Sequence, residues 1–209
     1  MTVVSATDEG VIARAIALVQ GGQLVVIPTD TSYAVIADAF HMGAITKLRI
    51  AKKQTSDVSL PIAAGSIDTI RGVALLSELA SDIAQAFWPG ALTILTAPQP
   101  SLAWSIGASD SALAVRVPNH ELARQILTGI GPTVMTGAQH AGAAPITTVE
   151  LAQAALGDAV SLYVDGGELS GATSSVLDTT GAHPRLLREG ALSLAALREI
   201  APMVVKATG

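Results

Sequence analysis

The sequence predicts an α/β fold: a single domain built on a twisted mixed sheet flanked by helices. Three observations predict it. Segments with helical spacing of apolar residues alternate along the chain with short β-branched runs, the pattern of a sheet covered by helices. Half of the residues are apolar but only 3% are aromatic, so the core is built from Ala, Val, Leu and Ile, with alanine allowing close helix contacts. At 209 residues the chain can bury one full core, whereas two independent cores would each be small.

The elements follow in order. Residues 8–20, DEGVIARAIALVQ, place Val11, Ile12, Ala15, Ile16 and Val19 on one helical stripe after a Thr7 or Asp8 cap, and Gly21-Gly22 ends the segment before the strand LVVI. A strand at 34–38 leads to a helix at 43–54, a strand at 60–64 and a helix at 77–87 capped by Ser77. Strands at 92–96 and 112–117 precede a helix at 119–128 capped by Asn119, then a strand at 133–136 and a helix at 148–156 capped by Thr148. Strands at 160–164, 174–178 and 185–188 and a helix at 193–200, capped by Ser193, complete the set. No period repeats, and the Gly/Pro/Ser clusters at 98–101 and 166–171 are too short to be domain linkers, so residues 1–209 read as one domain.

Composition excludes several chemistries. With no cysteine, disulfides, thiolate nucleophiles and Cys-ligated zinc are out. No glycine is followed by lysine, so a Walker A loop is absent, and no GxGxxG opens a helix. The four histidines, His41, His120, His140 and His183, are scattered without metal-ligand spacing and read as surface or loop residues; no metal site is expected of the protein itself. Asp165 before Gly166-Gly167 is a turn. No apolar run approaches the roughly 20 residues of a membrane span, and the N-terminus lacks a basic region followed by an apolar block; a soluble, cytoplasmic protein without a membrane partner is the expectation.

The formal charge of -5 argues against a broad nucleic-acid footprint. Within it, Lys47, Arg49, Lys52 and Lys53 concentrate four positive charges, a local anion site rather than a nucleic-acid surface; an ordinary solvated helix face is the other reading.

Polar residues punctuate the strand ends. The stretch VVIPTDTSYAV runs from a buried strand into Pro28, Thr29, Asp30, Thr31 and Ser32 before apolar residues resume. PTDTSYAV at 28–35, Lys52 at a helix end, WPGALT at 88–93, AVRVP at 114–118, TGAQHAG at 136–142, SSVLD at 174–178 and LLREG at 186–190 occur in one order. Together they resemble the YrdC-like family of threonylcarbamoyl-AMP synthases, from about residue 10 to about residue 192. Seven motifs in the family's order and rough spacing make the likeness specific.

The resemblance implies a YrdC-like fold with a positively lined cleft and a nucleotidyltransferase activity. ATP, bicarbonate and L-threonine combine into threonylcarbamoyl-adenylate and pyrophosphate, and the product feeds tRNA modification beside the anticodon. It also implies magnesium bound through ATP, and tRNA or double-stranded RNA as a further partner. The chemistry needs no enzyme nucleophile: a carbamate oxygen attacks the α-phosphorus, and cations, hydroxyls and amides meet the developing charge. Carried over residue by residue, Thr31 contacts threonine, Tyr33 walls its pocket, Arg116 takes its carboxylate in a bidentate pair, and Ser174 adds a further contact. Lys52, Thr93 and Arg188 meet ATP, with Lys52 and Arg188 serving catalysis. On local chemistry alone, Thr29–Thr31 would simply cap a turn, Lys52 would be an exposed helix-end lysine, and the arginines would form structural ion pairs.

Five positions depart from the family pattern. Gln54 replaces the arginine of Lys-x-Arg, Gly137 and Gln139 replace the serine and asparagine of a TSAN-type motif, Ala34 replaces a glycine, and Ala63 stands where some members carry histidine. These changes are expected to cluster in the pocket. Two functions therefore stay open: a synthase, with Lys53 as the candidate to supply the missing charge, or a non-synthase member that binds nucleotide, threonylcarbamoyl-AMP or RNA.

Overall fold

The computed structural model describes residues 2–102 and 112–207. In chain order the elements are β1 (Thr2–Ser5), α1 (Val11–Gln20), β2 (Val25–Ile27), β3 (Ala34–Asp38), α2 (Met42–Lys52), β4 (Ile62–Ala63), α3 (Ile67–Arg71) and β5 (Ala74–Leu75). There follow α4 (Glu78–Phe87), β6 (Leu92–Pro98), β7 (Leu113–Arg116), α5 (Glu121–Ile130), β8 (Thr133–Gly137) and α6 (Val149–Leu156). The chain then runs through β9 (Leu162–Asp165), β10 (Ser175–Asp178), β11 (Arg185–Arg188), α7 (Leu194–Ile200) and β12 (Val205–Lys206).

The strands form one mixed sheet in the order β1-β9-β2-β3-β8-β4-β7-β6-β10-β11-β12, with β5 paired to β6. Chain neighbours β2 and β3 pair antiparallel, whereas β4 and β7, and β6 and β10, pair parallel across longer connections. The pleat sends alternate side chains to two cores. Val25 and Ile27 of β2 join α1 and α5 through Val11, Ala15, Val19, Ala123, Ile126 and Leu127. Val26 points the other way, into a larger core with Ala44 and Leu48 of α2, Ile83 of α4, Ala152 of α6 and Leu197 of α7. On β6, Leu92 and Ile94 belong to that larger core, so Thr93 between them faces the side on which α1 and α5 lie. The α1–α5 pair covers that face over β2 and β3, and the neighbouring stretch of the same face holds the cavity described below.

The local starts and stops differ from expectation in two places. Helix α1 begins after Gly10, which is left-handed at φ 77°, and has no side-chain cap. Asp8 instead accepts from the Ser5 amide at 3.0 Å, closing a turn that delivers β1 into the helix. Helix α5 is capped by His120 rather than Asn119, its Nδ1 accepting from the Ala123 amide at 3.4 Å. His41 caps α2 in the same way, at 3.1 Å from the Ala44 amide. These two histidines are helix caps, with a role that free surface residues lack. Ser77, Thr148 and Ser193 cap as expected. Strands β1, β5 and β12 and helix α3 were not anticipated; all four have five residues or fewer and sit below the length at which periodicity is visible, β1 pairing with β9 at the sheet edge. Among the described residues no helix is long and apolar enough to cross a membrane.

Candidate active site

The chain leaves β2 at Ile27 and is pinned by Thr29. Its hydroxyl accepts from the amides of Thr31 at 3.2 Å and Ser32 at 3.3 Å and donates to the Ser32 carbonyl at 2.7 Å. Thr29 thus ties the turn, and the tie presents Thr31 and Asp30 to Arg116 at the end of β7. The guanidinium donates from Nε to the Gly90 carbonyl at 3.0 Å, from Nη1 to Thr31 Oγ1 at 3.3 Å and from Nη2 to Asp30 Oδ1 at 2.7 Å. These three bonds leave two of its five N–H groups for a ligand. Burial pulls the Arg116 pKa below its ordinary value, opposed by Asp30 and reinforced by the nearby Arg188 cation.

A second group assembles where β6 and β10 run parallel, with Val176 beside Thr93. Thr93 Oγ1 and Ser174 Oγ are 2.9 Å apart, and Arg188 of β11 donates from Nη2 to Ser174 Oγ at 3.1 Å and from Nε to the Ser174 carbonyl at 3.0 Å. Arg188 is exposed at the rim, and among the described residues it has no carboxylate partner.

Both groups open onto one cavity of about 360 Å³, lined by Thr31, Thr93, Arg116, Ser174 and Arg188 together with Thr29, Ala34, Ala114, Gly137, Gln139 and Thr173. Small residues at 34, 114 and 137 leave the sheet face hollow. The volume lies in the range of small-molecule sites, and the lining is hydroxyls and guanidiniums over apolar sheet.

Two expected site residues lie elsewhere. Tyr33 does not wall this cavity; it is fully buried in the opposite core, and its hydroxyl donates to the Gly167 carbonyl at 2.8 Å and accepts from the Gly166 amide at 2.9 Å. Burial, chiefly, pushes its phenol up to about 12. Strand parity accounts for this, because Tyr33 shares its side of the pleat with Val35 and Ala37, and Ala34 takes the cavity side. Lys52 lies behind the lining. It is 4% exposed, and Nζ donates to the carbonyls of Gly137 and Gln139, the latter at 2.6 Å. It thus braces the cavity wall from outside, and burial lowers its pKa to about 8.

The rest of the basic cluster is dispersed. Lys47 donates to the Gly22 carbonyl at 3.1 Å, and Arg49 Nη1 to the carbonyls of Thr55 at 2.6 Å and Val58 at 2.9 Å. The four cations do not converge on one anion site.

The departures from the family pattern divide. Ala34, Gly137 and Gln139 line the cavity, whereas Ala63 lies in the α1–α5 core and Gln54 is outside the lining. Gly137 and Gln139 are coupled: a Cβ at 137 would stand 2.3 Å from Gln139 Oε1 and 2.8 Å from its Cδ, so the glycine is what admits the longer amide. The residue that sequence reasoning passed over is Asp30. Its side chain is 14% exposed and pairs with an Arg116 side chain 10% exposed. The signal was an acid between two threonines at a buried strand end.

A mixed sheet whose open face gathers threonine hydroxyls and two arginines defines a small α/β protein with a polar, cationic ligand cavity. The model of the Sua5/YciO/YrdC family, described as "Telomere recombination", matches residues 17–190, and the chain belongs to that family. It is similar to the putative threonylcarbamoyl-AMP synthase of Mycobacterium leprae (strain TN), 37% identical over 195 residues, covering 92% of this chain and 89% of that protein. It is also similar to the threonylcarbamoyl-AMP synthase of Bacillus subtilis (strain 168), 31% identical over 191 residues, 90% of this chain and 55% of the other. Among solved structures, Pyrococcus abyssi Sua5 complexed with L-threonine superposes with a TM-score of 0.93 at 28% identity. The match covers 99% of this chain and 63% of that one, so this chain spans under two thirds of the archaeal protein. Escherichia coli YciO shares the fold, with a TM-score of 0.84 at 19% identity over 93% of this chain and 96% of that one.

Proposed function

We propose that this protein is a threonylcarbamoyl-AMP synthase, which joins L-threonine, bicarbonate and ATP and releases pyrophosphate. The observation that carries the reading is the convergence of Thr31, Arg116, Thr93, Ser174 and Arg188, from five separate segments, on one cavity. Relatives that share most of the chain are named for this reaction, and a matching structure holds L-threonine.

Thr31 and the two remaining N–H groups of Arg116 receive threonine's hydroxyl and carboxylate. Arg116 is held in place before any ligand arrives, so little side-chain entropy is lost on binding. Arg188 and Thr93 meet the nucleotide phosphates. Ser174, which the resemblance gives to threonine, is bonded to both of these groups and stands at the junction of the two subsites. Threonine's amine and carbon dioxide from bicarbonate form a carbamate. One of its oxygens attacks the α-phosphorus, the bond to the bridging oxygen of the β-phosphate breaks, and pyrophosphate leaves with that electron pair. Positioning and charge stabilisation suffice, which suits a cavity of hydroxyls and guanidiniums. Magnesium, in this reading, arrives on the ATP phosphates, where it would offset their charge. Support for tRNA or double-stranded RNA as a partner is slight: of the 47–53 cluster, Lys47 and Arg49 are tethered to backbone carbonyls and Lys52 is buried.

The test is pyrophosphate release by purified protein given ATP and bicarbonate, with and without L-threonine. Release that requires threonine, and that Arg188→Ala lowers at least tenfold, is expected. Threonine-independent release, or none, refutes the synthase reading and leaves a family member that binds nucleotide or threonylcarbamoyl-AMP without making it.

A further inference from the structure

A second cavity, of about 280 Å³, lies away from the lining of the first, between the start of α3, the end of α4 and α5. Its apolar walls are Trp88, Pro89, Ile67 and Val117, Ser66 and Gln85 add polar edges, and Arg124 of α5 lines it as well. The Trp88 indole N–H is already spent on the Leu92 carbonyl at 2.7 Å, so the ring offers only apolar surface. Gly65 lets the segment before α3 close against α5: a Cβ there would meet Thr128 Oγ1 at 2.1 Å and the Arg124 carbonyl at 2.8 Å.

Arg124 is the unusual wall. Its Nε is buried from solvent and has no hydrogen-bond partner, and among the described residues no carboxylate pairs with the guanidinium. A buried, unpaired N–H on a cation is costly, and such groups are nearly always satisfied. A water would satisfy that N–H, but it would leave the half-buried guanidinium without a counter-ion and the aromatic wall bare. The shape of the deficit specifies the occupant: one negative charge with two acceptor oxygens for the guanidinium fork, and an apolar body against Trp88, Pro89, Ile67 and Val117. A phosphate offers the charge but would bury a strongly hydrated dianion against apolar walls with one cation to meet it.

We propose that this cavity is a binding site for a small apolar carboxylate, separate from the ATP and threonine cavity. The proposal stands independently of the synthase reading, since it uses none of the residues assigned there.

The experiment is a titration of the full-length ¹⁵N-labelled protein with benzoate, benzamide and inorganic phosphate, following the Arg124 Nε–H and Trp88 indole N–H resonances. Benzoate should shift both saturably with a midpoint in the millimolar range, benzamide and phosphate should bind at least tenfold more weakly, and saturating ATP with L-threonine should leave the benzoate midpoint unchanged. Arg124→Met should weaken benzoate at least tenfold. Should that variant fail to fold, the wild-type comparison of benzoate with its neutral isostere decides alone. Absence of a saturable shift, benzamide or phosphate matching benzoate, or displacement by ATP and threonine would overturn the proposal.

Discussion

The Gly137–Gln139 pair gives the sharpest test of how this cavity is built. Gly137 is at a backbone conformation open to any residue, so Gly137→Ser on its own merits should stabilise by about 0.4–1 kcal/mol through the unfolded chain. The new Cβ, however, would fall 2.3 Å from Gln139 Oε1 and 2.8 Å from Nε2, and the amide must leave its place. Because that amide is the end of a flexible, half-buried side chain, the cost falls in the lower part of the overpacking range, about 1–2 kcal/mol. The net expectation for Gly137→Ser alone is a loss of about 1 kcal/mol, a fall in Tm of about 2–4 °C for a domain of this size. Gln139→Asn withdraws the amide by one methylene. It also moves the amide oxygen away from the place where Gln139 Oε1 lies buried without a partner, so this variant should be near neutral. The double variant should then recover the loss, with a coupling of about 1–2 kcal/mol between the two sites. Urea denaturation of the four proteins measures it. Additivity to within about 0.5 kcal/mol would refute the claim that glycine at 137 exists to admit glutamine at 139.

Other expectations follow from the same contacts. Arg116→Met leaves the Asp30 carboxylate without its cation in a site where both side chains are nearly covered, and should cost about 3 kcal/mol in chemical denaturation and abolish threonine binding in calorimetry; a change under about 1 kcal/mol would mean that Asp30 is satisfied by solvent. Lys52 has a folded pKa near 8 against 10.5 unfolded, so the unfolded chain binds the extra proton between those values and this residue makes stability rise with pH there. Wild type minus Lys52→Met should therefore grow between pH 8 and 10.5, and a flat difference would deny the burial penalty. His120 caps α5 through an unprotonated Nδ1, and burial, the main cause, lowers its pKa below 6.5; the stability it contributes is complete above that value and lost as the pH falls through the folded pKa. His120→Asn keeps an acceptor that does not titrate, so its denaturation midpoint should overtake that of the wild type in acid, and parallel profiles would refute the cap.

What was legible in the sequence is what local chemistry determines. Serine and threonine ahead of an apolar period mark Ser77, Thr148 and Ser193 as caps because the hydroxyl and the amide it accepts from lie three residues apart. The same rule named Asn119, one residue early, because the imidazole of His120 competes for that role and only the path of the preceding strand decides which side chain turns inward. Thr31, Thr93, Arg116, Ser174 and Arg188 are grouped by the family resemblance of their motifs, whereas local chemistry alone reads Thr31 as a turn cap and the arginines as structural ion pairs. Tyr33 was misplaced although parity could have placed it: its phase is that of Val35 and Ala37. Lys52 could not be placed at all, since its acceptors lie 85 and 87 residues further along the chain. Gly137 and Gln139 looked like two losses and are one exchange, visible only when the Cβ is built.

The two arginines, which the resemblance gives to different ligands, also stand in different surroundings, as the proposed division of the cavity requires. Arg116 is buried, bonded to Gly90, Thr31 and Asp30, and electrically balanced by that aspartate, so it contributes direction more than net field. Arg188 stands at the rim with Ser174 as its anchor, and no carboxylate offsets it among the described residues. An amino acid arriving as a zwitterion needs orientation, which fixed hydrogen-bond donors give. A triphosphate, and the negative charge that gathers on its oxygens as a bond to phosphorus breaks, need an uncompensated cation in a partly dry site, where Coulomb energies are several times those in water. On the proposed assignment, the pairing of Asp30 with Arg116 is what would separate the two tasks: an Arg116 without its aspartate would draw the phosphates as Arg188 does, and threonine would compete with the nucleotide for its own subsite.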